Sequence, residues 1–466
     1  WDDIYVGNDF HENDYYYINL GNGKFKESGA LHFRHYSRFS MGNDVNDYNN
    51  DAQPDVITVD MLPSEEAILK TYGSDENLDI YNLKLISNGY QHQVSRNCLQ
   101  RNNGKGNSFS DVALQAGVSA TDWSWAPLFA DFDNDGQKDL FVSSGIVKRP
   151  VDLDYIRFVS DLSINKGLDK TDKYDQEAIE AMPDGSSHPY FFQSGSNYLF
   201  SDVSNAWGTT SLKGYFNGAA YADLDGDGDL DMVINAINDE AVVLRNNSPV
   251  SHSISISFQG TTPNNYGFGA KAFVFQGRHI QYQQLSPSRG FQSSVEPILH
   301  FGLGENRPID SIIIVWPDQR FQTLKKGAFD KKIIAKQSDA SGQFDFSQWI
   351  PPAHLPYQAT QLSDWKHQEN EFIDNNKQYL IPHFQSTRGP KIAVGDVNGD
   401  GLDDLFACAA KEQPSVLLIQ QSNGYFLSSD VALFSENKDS EDVDATFFDA
   451  DGDKDLDLLV ITGGNE

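Results

Sequence analysis

One nine-residue pattern recurs five times along this chain, with an acid or amide at positions 1, 3, 5 and 9. The copies carry Asp47, Asn49, Asp51 and Asp55; Asp131, Asp133, Asp135 and Asp139; Asp223, Asp225, Asp227 and Asp231; Asp396, Asn398, Asp400 and Asp404; and Asp449, Asp451, Asp453 and Asp457. Alternating acids in a short loop converge on one point. A hard cation is the natural occupant, since calcium takes several oxygens at about 2.3–2.6 Å in a flexible shell. The backbone carbonyl of position 7 is expected to complete the set, from Gln53, Gln137, Asp229, Leu402 and Asp455. About five calcium sites follow. An acid-rich turn without metal is the plainer alternative, but such a turn needs no acid at four separate positions.

The loops are not EF-hands, which close with a bidentate Glu at position 12. Position 12 here is Thr58, Val142, Ile234, Ala407 or Val460. The closing carboxylate sits at position 9, an apolar run follows it, and alternating apolar residues precede the loop, so each loop joins two strands. Position 6 is Gly136, Gly228 or Gly401 in three copies but Ala52 and Lys454 in the others. A glycine there allows the sharp turn, so the loops at 131, 223 and 396 rank above those at 47 and 449. Lys454 also puts a cation beside its own site.

The chain has 466 residues and a formal charge of −32. So acidic a surface repels nucleic acid and anionic lipid. Cys98 and Cys408 make no disulfide framework and read as small buried residues. No apolar run is long enough to span a membrane. Trp1-Asp2-Asp3-Ile4-Tyr5-Val6 matches the end of an acidic loop and its strand, and Ile461 to Glu466 stops inside a repeat. Both ends are therefore expected to continue in a longer chain, where any signal peptide or lipid anchor would lie.

Asp3 and Asp55 are 52 residues apart, and Asp404 and Asp457 are 53 apart. A unit of this length with four strands is the size of a propeller blade. A second signature, an apolar pair, a turn rich in Asn and Gly, then Phe, ends at Phe25, Phe109, Phe200 and Phe426. It reads as a hairpin whose turn needs positive φ. The wider spacings, 84 from Asp47 to Asp131 and 92 from Asp131 to Asp223, imply insertions at about 62–93 and 151–182 on one rim. Tyr155, Phe158, Val159 and Leu162 share a helical face and are expected to pack on the blade. The expectation is an all-β chain: repeats over 1–250, a separate sandwich-like β domain over 251–340, a connector over 341–378 and a second, truncated repeat array over 379–466.

The loop motif followed by an apolar strand resembles the FG-GAP/VCBS repeats of integrin-like β-propellers. Gly267 to Lys271, Arg289 to Ser294, His300 to Gly304 and Val315-Trp-Pro-Asp318 resemble the ASPIC/UnbV domain. Gln319 stands where that family usually has glycine. The order of domains resembles long surface proteins of Bacteroidota and, more distantly, the cartilage acidic protein family. The resemblance implies an extracytoplasmic, calcium-stabilised propeller, secreted or held at the cell surface or outer membrane.

Fold does not settle activity. One reading is a binding or scaffold module for a protein, a glycan or an outer-membrane transporter complex. The other is a propeller-based hydrolase or lyase acting on an extracellular polymer. The chain holds no G-x-S-x-G elbow and no H-E-x-x-H, and His32 and His35 are its closest histidine pair. The metal loops account for the paired carboxylates without glycosidase chemistry, so no catalytic residue is assigned.

Overall fold

The computed structural model describes residues 2–10, 12–73, 78–104, 106–166, 179–195, 198–248, 252–304, 308–325, 332–348, 360–378, 386, 389–429 and 432–463, with backbone alone at 78, 79, 161–166 and 375. The chain is all-β with a few short helices. It divides into two compact units, Trp1–Ala353 and His354–Glu466.

In the first unit the repeats form four antiparallel meanders. The first holds Ile4–Val6, Tyr15–Asn19 and Phe25–Glu27; the second Gly42–Asn46, Asp55–Val59, Cys98–Asn102 and Phe109–Asp111. The third holds Ser124–Ala130, Asp139–Ser144, Tyr190–Ser194 and Phe200–Asp202; the fourth Phe216–Ala222, Asp231–Ala236 and Val242–Leu244. Consecutive buried residues, as along Asp55–Val59 and Asp139–Ser144, put side chains on both faces of the sheet, and neighbouring sheets bury them against each other. Phe109 stacks on Phe33 at 4.4 Å between the first two sheets, and Phe200 meets Tyr48 at 5.8 Å between the second and third. The first strands of the second and third sheets are joined by Asp44 Oδ2, which accepts from Phe129 N at 2.8 Å.

The rim insertions contain helices Glu66–Leu69, Leu78–Asn88 and Leu153–Lys166. Residues 74–77 and 167–178 of these insertions lie outside the described residues, as does the side chain of Leu162. The helical stripe is partly covered: Tyr155 and Val159 are half-buried, while Phe158 is 42% exposed. The anchor lies at the root of the insertion. Val151 joins a cluster with Phe39, Met61 and Trp123, and Leu153 N donates to Thr71 O at 2.8 Å. With the root held, the helix beyond it need not bury its stripe.

Residues 252–336 form two sheets of their own. His252–Gln259 lies between Ile298–Gly304, antiparallel, and Lys332–Lys336, parallel. The other sheet runs His279–Gln284, Lys271–Gln276, Ser311–Val315, Phe321–Lys325. Ile256, Val274, Phe301, Ile314 and Trp316 fill the space between them. Trp316 meets Phe258 edge-on at 5.7 Å. A Cβ on Gly267 would come within 2.9 Å of the Trp316 ring and of Phe258 Cβ, which accounts for that glycine.

These sheets belong to the same compact unit as the repeats, and a hairpin shows how. Strands Ser288–Arg289 and Ser293–Ser294 leave the two sheets and lie against the first strands of the second, third and fourth meanders. Arg289 is buried there. Its Nε donates to Asp44 Oδ1 at 2.7 Å, a second nitrogen donates to Asp44 Oδ2 and also to Phe129 O at 2.9 Å, and a third reaches the Tyr221 hydroxyl. One guanidinium thus ties three consecutive blades, as its planar fork of donors allows. Phe291 packs on Trp125 at 5.0 Å.

The second unit repeats the meander with Ile392–Gly395, Asp404–Ala407, Val416–Gln420 and Phe426–Ser429, followed by the pair Asp442–Phe448 and Asp457–Thr462. Trp365 packs with Leu405, Val416, Leu418 and Phe426. Pro351, Pro352 and Pro356 of the expected connector lie outside the described residues.

Candidate metal centres

All five acidic loops join the first two strands of a meander, in one register. The residue before position 1 pairs with position 9: Asn46 with Asp55, Ala130 with Asp139, Ala222 with Asp231, Gly395 with Asp404, Phe448 with Asp457. The strand pair therefore brings the two ends of the acid set together, and the loop folds the middle of it back.

Backbone N–H groups hold the carboxylates. In the loop at 131, Asp131 accepts from Asp135 N at 3.0 Å and Gly136 N at 2.9 Å. Asp133 accepts from Asp135 N at 3.2 Å, and Asp135 from Gln137 N at 2.7 Å. Asp139 Oδ2 accepts from Phe132 N at 3.0 Å and its Oδ1 from Ser194 N at 2.9 Å. The same bonds recur elsewhere: Asp47 takes Asp51 N and Ala52 N, Asp396 takes Asp400 N and Gly401 N, and Asp449 takes Lys454 N. Asn49, Asp225, Asn398 and Asp451 accept at position 3 from Asp51, Asp227, Asp400 and Asp453. Each carboxylate oxygen has a second lone pair beyond these bonds. Asp3 has the same role at the start of the chain, accepting from Asn19 N at 2.8 Å.

Position 6 has positive φ in every copy: Ala52 at 64°, Gly136 at 93°, Gly228 at 100°, Gly401 at 84° and Lys454 at 81°. The turn keeps its shape where glycine is missing, at the steric cost of a Cβ in the left-handed region. Position 4 has the same requirement: Asn50, Asn134, Gly226, Gly399 and Gly452 have φ of 56°, 59°, 80°, 74° and 84°. The motif reading missed position 4, although Asn or Gly stands there in all five copies, the residues that tolerate that region. Two of these residues also link successive loops. Asn50 Nδ2 donates to Gly136 O at 2.8 Å, and Asn134 Nδ2 to Gly228 O at 3.2 Å.

The donor sets differ. Carboxylate oxygens of Asp131, Asp133 and Asp139 lie within 4.8 Å of one another, as do those of Asp223, Asp225 and Asp227, and of Asp449, Asp451 and Asp453. The last is a loop ranked low for its lysine. The loops at 47 and 396 carry Asn49 and Asn398 at position 3 and bring fewer carboxylates together. Asp229 Oδ1 at position 7 is buried with no hydrogen-bond partner. Arg245 lies over the loop at 223, 2.7 Å from Asp225.

Burial separates the loops further. Asp131 is 1% exposed, and burial pushes its carboxyl up to about 8, with Lys138 opposing and Asp135 and Asp133 adding to the rise. Burial and then Asp51 push Asp47 to about 7. Burial, then Asp227, pushes Asp229 to about 7. Asp396 is only half-buried, and backbone N–H groups, Gly401 first, hold it below the usual carboxylate range.

The middle sheets roof the loop at 131. Asn134 Oδ1 meets His300 Nε2 at 2.6 Å, Asn134 O accepts from Gly304 N at 2.9 Å, and Lys138 Nζ lies 5.8 Å from the Phe301 ring centre. A Cβ on Gly302 would lie 2.1 Å from Asp131 Oδ2, so that position admits no side chain. Ser253 Oγ donates to Gly228 O at 2.7 Å. The string His300-Phe-Gly-Leu-Gly304 is thus a surface built to fit an acidic loop.

Another cluster brings His35, Cys98 and Asp111 together within 4.8 Å. Asp111 is already bound to Arg96 at 2.6 Å and to His35 at 2.9 Å, and burial pushes the Cys98 thiol well up. A thiol held protonated is a poor nucleophile and a poor metal ligand. Cys408 is likewise buried and unpaired.

Comparison with protein families matches two kinds of domain. The FG-GAP-like repeat matches residues 1–58, 74–142 and 384–460, and the ASPIC and UnbV domain matches 260–342. The loop at 223 lies outside the repeat matches yet has the same register. A comparison with curated proteins finds no match. Among the described residues no helix is long and apolar enough to cross a membrane.

Proposed function

We propose that this chain, which carries FG-GAP-like repeats and an ASPIC and UnbV domain, is a calcium-stabilised binding and scaffold protein that works outside the cytoplasm. Its partner would be a protein, a glycan or an outer-membrane transporter complex at the cell surface. The observation that carries the reading is the common frame of the five loops. Each presents oxygen donors alone, held by backbone N–H groups, and each closes into the second strand of its sheet. Oxygen-only sets of this kind suit a hard cation. The ion would be held by positions 1, 3, 5 and 9 with the carbonyl of position 7, and would supply charge neutralisation to crowded carboxylates. The rim insertions, with Phe158 exposed, support recognition as the role of that face.

The test combines metal analysis with thermal unfolding. Calcium should co-purify at several ions per chain, and chelation should lower the melting temperature. Asp133→Ala should weaken one blade and leave partner binding in place. An unchanged melting temperature after verified metal removal would sink the calcium role. Turnover of an extracellular polymer that Asp133→Ala abolishes without loss of fold would favour the enzyme reading.

A further inference from the structure

The meanders share one more rule. A residue of the third strand, or in the three-stranded first meander of the second, donates its N–H to the position-9 carboxylate: Asn19 to Asp3 at 2.8 Å, Asn102 to Asp55 at 2.7 Å, Ser194 to Asp139 at 2.9 Å, Gln420 to Asp404 at 2.8 Å. In each case the residue paired opposite it is the phenylalanine that opens the next and last strand: Phe25, Phe109, Phe200 and Phe426. Asn246 makes the same bond to Asp231 at 2.8 Å. Yet the fourth meander ends at its third strand, Val242–Leu244, and among the described residues no strand pairs with its outer edge. Val243 is 61% exposed.

The missing phenylalanine leaves a space. Phe200 fills the gap between the second and third sheets by meeting Tyr48, at position 2 of the loop at 47. The matching residue in the next gap is Phe132, and beside it lies a cleft of about 360 Å³ lined by Phe132, Phe191, Trp207, Leu230, Met232 and Leu244. Trp207 follows Asp202 by five residues, as Ala116 follows Asp111. It narrows the cleft from one side, 5.3 Å from Phe191, without closing it.

We propose that this cleft and the open edge of Val242–Leu244 form a docking site for an extended segment of a partner protein. The segment adds the fourth strand and seats an aromatic side chain opposite Asn246. Edge addition of this kind draws affinity from main-chain hydrogen bonds and specificity from the pocket. The chain's own fourth strands define the chemistry of the occupant. Phe109-Ser-Asp111 and Phe200-Ser-Asp202 carry an acid two residues after the aromatic. Asp111 Oδ1 accepts the third-strand N–H of Leu99 at 3.1 Å; in the next meander the matching N–H, of Phe191, goes to Ser204 Oγ at 3.0 Å, and Asp202 holds Ser204 by accepting from its N–H at 2.9 Å. Leu99 and Val243 both pair with the second-strand residue two beyond position 9, Leu99 with Ile57 and Val243 with Val233, so the N–H of Val243 faces the open edge. The occupant is therefore an aromatic–polar–acidic strand. The proposal names the site for the partner reading above and needs no metal.

The probe is a labelled peptide with the sequence of residues 198–204, titrated into the full chain by fluorescence anisotropy, with calcium and with EDTA. Binding should weaken at least tenfold when the residue matching Phe200 becomes alanine in the peptide. It should weaken at least tenfold with Val243→Pro, which removes an outward N–H, and with Trp207→Ala, each checked by near-UV circular dichroism. Equal binding by the alanine peptide, or by a folded Val243→Pro chain, would overturn the site. So would a dimer of the chain that Val243→Pro dissolves, since a second copy would then be the occupant. Loss of peptide binding with calcium-dependent stability intact would remove this site and leave the calcium reading standing.

Discussion

The loops at 131 and 396 share the Asp at positions 1, 5 and 9, the Gly at position 6 and nearly the same hydrogen bonds, yet their first carboxylates shift in opposite directions. Asp131 is pushed up to about 8 by burial, whereas the half-buried Asp396 is held low by its backbone N–H groups. The difference lies in the roof. His300, Gly302 and Gly304 close over the loop at 131 and remove the water that would solvate its charge. The motif builds the donor set; the packing above it decides how costly that set is without a cation.

The largest expected effect tests this contrast directly. A site saturated a thousandfold above its Kd stabilises the fold by about 4 kcal/mol, and the roofed loops add the relief of buried like charge. Chelation should lower the melting transition of residues 1–353 more than that of 354–466, read by calorimetry or by hydrogen exchange resolved along the chain. Asp131→Ala should lower calcium stoichiometry and stability together, while Asp396→Ala should lower stoichiometry with the smaller loss of stability. Equal shifts in the two units would break the comparison.

Next comes the clamp that holds the roof. Arg289→Ala leaves Asp44 buried without its partner, and breaking a buried pair costs about 3–5 kcal/mol. Denaturant unfolding should show that loss in the first unit alone. Replacing both members by apolar residues should recover much of it. A loss under about 1 kcal/mol would mean that the hairpin is not the clamp.

A smaller effect follows pH. His300 is buried, and burial first, then Lys138, lowers its pKa from 6.5 to about 3. The unfolded chain binds the proton more readily, so stability rises with pH across this window. The contribution is complete above about 6.5 and is lost as pH falls toward 3, by at most about 1.4 kcal/mol per pH unit. Comparing stability at pH 7 and pH 5 in the wild type and in His300→Gln should show the flatter dependence in the variant.

The smallest effect is at position 6. Ala52 sits at φ 64°, and Ala52→Gly should stabilise by up to about 1 kcal/mol, whereas Gly136→Ala should cost about 1–2 kcal/mol. Thermal unfolding of both variants checks the sign.

Much of this was legible in the sequence because the signal is local. Spacing determined the five loops and the strands on either side, and residue type the burial of Cys98 and Cys408. Position 4 was legible too, but Asn and Gly there pass for ordinary turn residues until their φ is seen. Ala52, Lys454 and Gln319 stand where glycine is expected. Each holds a positive φ, Gln319 at 65°, because the surrounding hydrogen bonds fix the turn more strongly than one side chain opposes it. Tertiary structure decided the rest. The motif strings Arg289 to Ser294 and His300 to Gly304 carry no hint of their purpose, since the residues they meet, Asp44, Tyr221 and Asn134, are far away in sequence. The same holds for the burial of Asp131 and for the cleft beside Phe132. A nine-residue loop encodes its own geometry through backbone bonds a few residues apart, whereas desolvation depends on which distant segment excludes the water.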